Sequence, residues 1–121
     1  MKTRATGQLG EKLAQDFLKE RSYQIVGTNY RTPDGEVDIL ASKDGILVFI
    51  EVRAKTSRTF GTPEESVTPR KKQRLVKVAQ NYVQTHDIQE SSWRIDFIAV
   101  ELDNKGNVLR IEQIENAVGE E

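Results

Sequence analysis

The chain has 121 residues, of which 36% are hydrophobic and 31% charged, and its net charge at neutral pH is −1. These values fit one soluble domain, 1–121, and exclude an intrinsically disordered chain. The absence of cysteine excludes disulfides and thiolate zinc sites. No apolar run is long enough for a signal peptide or a membrane span, so we expect a cytoplasmic protein without a membrane partner.

The first predicted element is a helix over Leu9–Leu18, where apolar residues recur at helical spacing. It should end near Arg21. Gly7 and Gly10 lie at the edge of the apolar stripe. Because glycine costs a helix roughly 1 kcal/mol relative to alanine, we expect both glycines to permit close packing against another backbone.

Three strands are predicted to follow, at 23–26, 36–41 and 46–53. Pro33-Asp34-Gly35 is a typical turn sequence, and Asp34 is therefore interpreted as a turn residue. Asp44-Gly45 joins two apolar, β-prone runs, which is a strong signal for a hairpin. The third strand is apolar on both faces, which is typical of a strand covered on both sides.

The second helix should begin at Thr68-Pro69, a capping residue followed by one suited to the first turn. Two more strands are predicted at 93–100 and 108–111, and the tail 112–121 is expected to fray or to cover an edge. The predicted fold is therefore α/β, a mixed sheet flanked by helices in the order α-β-β-β-α-β-β.

Acidic side chains fall on the two strands of the predicted hairpin. Because strand side chains alternate between faces, Asp38 shares a face with Leu40, and Glu51 shares one with Arg53 and Lys55. Two carboxylates facing each other across a hairpin repel, and a divalent cation relieves that repulsion. Mg²⁺ or Mn²⁺, bound by carboxylates, water and phosphate, fits this chemistry. The alternative is that both carboxylates form ordinary ion pairs with neighbours such as Arg53.

Basic residues are concentrated in the middle of the chain. Residues 53–77 include eight basic and two acidic residues, whereas residues 87–121 include three basic and nine acidic ones. On the second helix the basic residues surround the apolar face, so they can follow a phosphate backbone or merely form a solvated surface. They are Arg70, Lys71, Lys72, Arg74 and Lys77.

Five short motifs are spread in order along the chain between about Thr6 and Val100. They are Gly7-x-x-Gly10-Glu11, Gly35-Glu36-Val37-Asp38, Val48-Phe49-Ile50-Glu51-Val52-Arg53, Lys72-Gln73-Arg74-Leu75 and Arg94-Ile95-Asp96. In order and spacing they resemble the motifs of the uncharacterised bacterial YraN-type family. That family is similar to archaeal Holliday junction resolvases and to the wider PD-(D/E)xK nuclease superfamily, so the resemblance implies a restriction-endonuclease-like core.

The resemblance implies that Asp38 and Glu51 bind Mg²⁺ or Mn²⁺, with Glu11 as a further carboxylate near the metal. It implies cleavage of structured or branched DNA, and it suggests a homodimer, because a junction has two scissile strands. The chain departs from the superfamily pattern at Arg53, where a lysine is expected, although Lys55 could supply an ammonium group. Arginine cannot serve as a base but binds phosphate well, so a nuclease-like module that binds nucleic acid without cutting it is the alternative function.

Overall fold

The computed structural model describes residues 4–86 and 92–118. The element order is the predicted α-β-β-β-α-β-β, with one additional 3₁₀ turn, Glu64–Ser66, before the second helix. The helices are α1 (Arg4–Glu20) and α2 (Pro69–Thr85), and the strands are β1 (Gln24–Thr32), β2 (Gly35–Lys43), β3 (Ile46–Lys55), β4 (Ser92–Leu102) and β5 (Val108–Ile114).

The five strands form one mixed sheet in the order β1-β2-β3-β4-β5. All neighbouring strands are antiparallel except β3 and β4, which are parallel from Ile46↔Ser92 to Lys55↔Glu101. A parallel neighbour requires a crossover connection, and α2 provides it. The predicted class, a mixed α/β sheet flanked by helices, is therefore confirmed.

Each helix covers one face of the sheet, and β3 contributes to the core on both faces. Val48 and Ile50 pack on the side of α1, while Leu47 and Phe49 pack on the side of α2. The central position predicted for this strand from its continuous apolar run is confirmed. Neither helix in the described part of the chain combines the length and hydrophobicity needed to cross a bilayer.

The predicted turns and caps of the central elements are confirmed. Asp44 and Gly45 have φ values of 52° and 77°, which is the left-handed backbone that a two-residue hairpin turn requires. The Thr68 side chain accepts a hydrogen bond from the backbone N–H of Lys71 at 3.1 Å and caps α2. This cap fixes the position of the first turn of α2.

The strands at the two edges of the sheet are longer than predicted. β1 continues to Thr32 past an irregularity between Ile25 and Gly27, which interrupts the alternation on which the prediction relied. β5 continues to Ile114, and beyond it the backbone N–H of Ala117 donates to the carbonyl of Ile95 at 2.8 Å. The described part of the tail therefore covers an edge rather than fraying, and 119–121 lie outside the described residues.

The two glycines of α1 differ in their surroundings. A Cβ atom on Gly10 would lie 2.7 Å from the Cβ of Ala54 in β3, so α1 approaches the sheet closely there. A Cβ atom on Gly7 would meet no protein atom within 4 Å. The expectation of close packing is confirmed for Gly10 and is wrong for Gly7, because a Cβ atom there would point into open space.

We therefore expect opposite effects from two matched substitutions in α1. Gly10→Ala should destabilise the protein by about 1–3 kcal/mol, the usual cost of overpacking. Gly7→Ala should leave stability unchanged or raise it by up to about 1 kcal/mol, because alanine favours the helix and no steric clash opposes it. Urea denaturation of both variants measures these changes. Equal destabilisation by both would show that α1 packs differently.

Candidate functional site

The candidate site lies where β2 and β3 separate. Their pairing runs from Lys43↔Ile46 to Ile39↔Ile50, and Asp38 and Glu51 come next on the two strands. Asp38 Oδ2 accepts a hydrogen bond from the backbone N–H of Val52 at 2.8 Å. A carboxylate therefore occupies the position where a strand carbonyl would otherwise accept that N–H.

The backbone around Asp38 departs from regular strand geometry. Val37 and Leu40 both pack in the cluster beneath α2, although residues three apart should face opposite sides of a regular strand. Asn29, which lies opposite Asp38 between the pairs Thr28↔Ile39 and Tyr30↔Val37, has φ 52°. The regular alternation predicted for this part of β2 is therefore wrong. The distortion accompanies the turning of Asp38 toward β3.

A cleft of about 210 Å³ opens at this fork, with walls from α1, β2, β3 and α2. It contains four of the side chains predicted as catalytic or metal-binding residues, although these are up to 42 positions apart in the chain. We call it the acidic cleft, and it is lined by Gly7, Glu11, Asp38, Glu51, Val52, Arg53, Ala54 and Lys71.

Glu51 is buried in the acidic cleft without a complete set of partners. Arg53 Nε lies 3.1 Å from Glu51 Oε2, and Lys71 Nζ lies 3.7 Å from Glu51 Oε1. These are ion pairs, but neither has hydrogen-bond geometry: Glu51 Oε1 and Arg53 Nε are both buried without a hydrogen-bond partner. The alternative predicted for Glu51, pairing with neighbouring cations, is thus present but leaves one carboxylate oxygen unsatisfied.

A second buried carboxylate, Asp96, has hydrogen-bond partners for both of its oxygens. It accepts hydrogen bonds from Arg94 Nε at 2.9 Å, from Gln113 Nε2 at 2.8 Å and from the backbone N–H of Asn116 at 2.9 Å. Buried polar groups in proteins are usually paired in this way, and each exception needs an explanation. Asp96 therefore has a complete set of partners within the protein, whereas Glu51 Oε1 has no hydrogen-bond partner there.

The electrostatics of the acidic cleft also favour a bound cation. Burial, followed by the charge of Asp38, raises the pKa of Glu51 to about 7, despite the opposing effects of Lys71 and Arg53. Burial also raises the pKa of Asp38, which the hydrogen bond from Val52 partly opposes. The pKa of Glu11 is raised by burial and by the charge of Asp38. All three carboxyl groups would ionise more readily beside a metal ion.

The donor set fits Mg²⁺ or Mn²⁺ if water and substrate complete the coordination. Within 4–86 and 92–118, no three His, Cys, Asp or Glu side chains are placed to enclose a metal ion by themselves. Mg²⁺ commonly binds through one or two carboxylates, several waters and substrate phosphate. Asp38 and Glu51 would supply those two carboxylates, and Glu11 lines the same cleft.

Four of the five basic residues predicted on α2 line one or other of two surfaces. Lys71 lines the acidic cleft. Arg70, Arg74 and Lys77 line a separate groove of about 430 Å³, the basic groove, whose other wall is the β1–β2 turn 32–35. Asp34 lies in that turn, as predicted, and so is not in the acidic cleft.

Two of the predicted site residues, Lys55 and Lys72, line neither the acidic cleft nor the basic groove as these are formed by the described residues. Lys55 lies at the end of β3, opposite Glu101 of the parallel strand, and is not in the acidic cleft. Lys72 is in the first turn of α2 but lines neither the acidic cleft nor the basic groove. The structure therefore brings Arg53, but not Lys55, to the carboxylates.

Comparison with known proteins assigns the chain to a family. The model of a family described as uncharacterised protein family UPF0102 matches residues 10–100. The chain belongs to the UPF0102 family. A UPF0102 protein of Dehalococcoides mccartyi is 48% identical over 96% of this chain and 94% of its own length. UPF0102 proteins of Moorella thermoacetica and Caldicellulosiruptor bescii are 44% and 39% identical, each over 97% of this chain and nearly all of their own lengths.

Two residues of the site in this UPF0102 protein were not predicted in their observed roles. Lys71 faces the carboxylates rather than the solvated face of α2, and Gly7 lines the cleft instead of packing closely against the sheet. The cap at Thr68 located Lys71 within the helix. The direction of its side chain depends on how α2 docks on the sheet, which the local sequence does not determine.

We expect Glu51→Gln to stabilise the UPF0102 protein above pH 7 in the absence of divalent ions. The pKa of this carboxyl is about 7 in the folded protein against an ordinary 4.5. Folded-state stability therefore falls as pH rises from about 4.5 to about 7, since only the folded form retains the proton. The shift corresponds to about 3 kcal/mol.

Urea denaturation at pH 5 and pH 8 measures this effect. Glu51→Gln should gain stability over the native protein mainly at pH 8. Asp16→Asn, which alters an exposed ion pair with Lys12 on α1, serves as the control and should change little at either pH. A Glu51→Gln variant less stable than the native protein at pH 8 would contradict the assignment of Glu51 as a buried, poorly compensated charge.

Proposed function

We propose that this UPF0102 protein is a Mg²⁺- or Mn²⁺-dependent endonuclease that hydrolyses phosphodiester bonds in structured or branched DNA. The observation that carries the proposal is the buried, unpaired Oε1 of Glu51 beside Asp38 in an open cleft. A structural carboxylate would be expected to have its partners within the protein, as Asp96 does. A site that awaits a metal and a phosphate leaves one oxygen free.

The charges lining the acidic cleft match a phosphodiester once a divalent ion is present. Glu11, Asp38 and Glu51 carry three negative charges when ionised, and Arg53 and Lys71 carry two positive charges. The cleft alone therefore has one net negative charge and repels phosphate. With a divalent ion it has one net positive charge, which complements the single negative charge of a phosphodiester.

In the proposed reaction each side chain has a distinct part. Asp38 and Glu51 would hold the metal, which polarises phosphoryl oxygen and lowers the pKa of an attacking water when bound. Asp38 is oriented by the N–H of Val52, which donates to its Oδ2. Arg53 places a permanently charged guanidinium beside Glu51, where it contributes to binding phosphate oxygen.

The basic groove is proposed to hold the nucleic acid next to the scissile phosphate. Arg70, Arg74 and Lys77 are exposed on the same helix that carries Lys71 into the acidic cleft. α2 therefore connects the two surfaces, and one strand of DNA passing through the acidic cleft would bring neighbouring phosphates toward the groove. Contacts to phosphate give affinity without sequence preference, as expected of an enzyme that recognises DNA shape.

The alternative proposal is a binding module that no longer cleaves. Arg53, in the position where the superfamily resemblance calls for lysine, favours it, because arginine retains phosphate binding without acting as a base. Lys55, the other predicted source of an ammonium group, does not line the acidic cleft. Both functions require nucleic acid to occupy the same cleft, and they differ only in turnover.

A metal titration tests the site itself. Mg²⁺ or Mn²⁺ should raise the melting temperature of the native protein, since an ion that binds only the folded state stabilises it by about 2.7 kcal/mol at 100 times its dissociation constant. Asp38→Asn and Glu51→Gln should each lose most of this metal-dependent increase, whereas Asp16→Asn should retain it. Equal responses in all four proteins would place the metal elsewhere or nowhere.

A cleavage assay then separates the enzyme from the binding module. Single-stranded, duplex, flap and four-way DNA are incubated with the native protein and Mg²⁺ or Mn²⁺. We expect metal-dependent cuts, most rapid in the branched substrates, and none with Asp38→Asn or Glu51→Gln. Tight binding of branched DNA by the native protein, with no product from any substrate, would favour the binding module.

The salt dependence of binding tests the basic groove. If Arg70, Arg74 and Lys77 contact phosphates of duplex DNA, each contact adds about −0.9 to the slope of log K against log salt. The double variant Arg74→Gln/Lys77→Gln should flatten this slope by about 2. Lys12→Gln, on the exposed face of α1, is the control. An unchanged slope in the double variant would mean that the groove does not hold DNA.

A further inference from the structure

We propose that Lys71, carried by α2, supplies the ammonium group that contacts a nonbridging oxygen of the scissile phosphate. This inference rests on the proposed function, and it assigns one catalytic contact to a residue far in the sequence from Glu51 and Arg53 of β3. Lys71 is 20 positions after Glu51 in the chain. In the fold it lines the same cleft as both carboxylates.

The position of Lys71 is fixed by its backbone. Its N–H donates to the Thr68 side chain at 3.1 Å, which anchors the first turn of α2 at the cleft. From there Nζ reaches to 3.7 Å from Glu51 Oε1. That distance is longer than a hydrogen bond, so the ammonium is attracted to the carboxylate while its N–H donors stay available to a ligand oxygen.

The first turn of α2 has an unusual charge for a helix N-terminus. It carries Arg70, Lys71 and Lys72 and no acidic residue. The N-terminal end of a helix is already positive, so cations there are unfavourable unless an anion lies close by. The 17-residue helix thus begins with three cations at its positive pole, and one of them, Lys71, lines the acidic cleft.

A second observation, independent of the helix, points to a ligand at the same place. Glu51 is 4% exposed, and its Oε1, the atom nearest to Lys71, has no hydrogen-bond partner. A carboxylate oxygen and an ammonium that lie close without a hydrogen bond can each still bind a further ligand. A metal ion on Glu51 and a phosphate oxygen on Lys71 would satisfy both groups.

Arg53 is less suited to this contact than Lys71. Its Nε lies against Glu51 Oε2 and is itself buried without a hydrogen bond. Its guanidinium is broad and planar, whereas an ammonium is a compact charge with three donors on a flexible stem. We therefore assign the contact with the nonbridging oxygen, in the bound phosphate and as negative charge develops on it, to Lys71, and an additional contact with phosphate to Arg53.

The chemical step balances with Lys71 protonated throughout. The oxygen of a water molecule forms a bond to phosphorus while the bond from phosphorus to the leaving ester oxygen breaks. The proton lost by the water passes to solvent, and the leaving oxygen takes a proton from solvent. Lys71 donates a hydrogen bond to the nonbridging oxygen on which negative charge builds. Removing one such donor typically lowers kcat by about 100- to 1000-fold.

The test compares Lys71→Met with Lys19→Met, an equal charge change on the exposed last turn of α1. Three quantities are measured: the rise in melting temperature with Mg²⁺, binding of inorganic phosphate in Mg²⁺ by calorimetry, and cleavage of four-way DNA. We expect Lys71→Met to keep the Mg²⁺ response, to bind phosphate at least 10-fold more weakly, and to cut at least 100-fold more slowly. Lys71→Arg should retain phosphate binding and regain part of the cleavage.

Each other outcome has a definite meaning. If Lys71→Met matches Lys19→Met in phosphate binding and cleavage, the inference is overturned while the proposed nuclease stands. If Lys71→Met loses the Mg²⁺ response as well, Lys71 acts only by positioning Glu51, and the inference is again overturned. The native protein could also bind phosphate but cut no DNA. If Lys71→Met then loses phosphate binding while Lys19→Met retains it, the proposed catalysis fails and the contact between Lys71 and phosphate is supported.

Discussion

Two carboxylates meet at the fork between β2 and β3, and the protein does not fully neutralise either of them. Asp38 is tied to Val52 of β3 by a hydrogen bond, while Glu51 is buried next to it with one oxygen unpaired. Burying an ionised carboxylate costs free energy unless it is paired and hydrogen-bonded. The fold therefore carries a local energetic cost at this point, which a divalent cation would offset.

The rest of the architecture positions this fork. β3 is buried on both faces and is held between β2 and β4, so Glu51 stands on the most constrained strand of the sheet. α1 packs closely against β3 at Gly10, whereas Gly7, one turn earlier, lines the acidic cleft together with Glu11. α2 lies in the connection from β3 to β4, and it contributes Lys71 to the wall of the acidic cleft. A rigid frame of this kind suits a site that must hold a metal and a phosphate in fixed geometry.

The sequence alone predicts the architecture well, and three of the carboxylates that it singles out line one cleft in the structure. Apolar periodicity, the Asp44-Gly45 turn and the Thr68 cap are local signals, and each corresponds to the observed element. The resemblance to the YraN-type family agrees with membership in the UPF0102 family. The features that were missed depend on how distant elements pack. The distortion at Asp38 and Asn29, the direction of Lys71 and the separation of Lys55 from the cleft arise from tertiary contacts.

A crystal structure of the native protein grown or soaked with Mn²⁺, with anomalous diffraction recorded near the manganese absorption edge, tests the central claim most directly. If Asp38 and Glu51 form a metal site, an anomalous peak should appear in the acidic cleft. The manganese ion at this peak should be bound by carboxylate oxygens of both residues, including Glu51 Oε1. The peak should disappear in Glu51→Gln crystals prepared in the same way. A manganese ion bound only at carboxylates outside the acidic cleft, or no peak at saturating Mn²⁺, would contradict a metal site at Asp38 and Glu51.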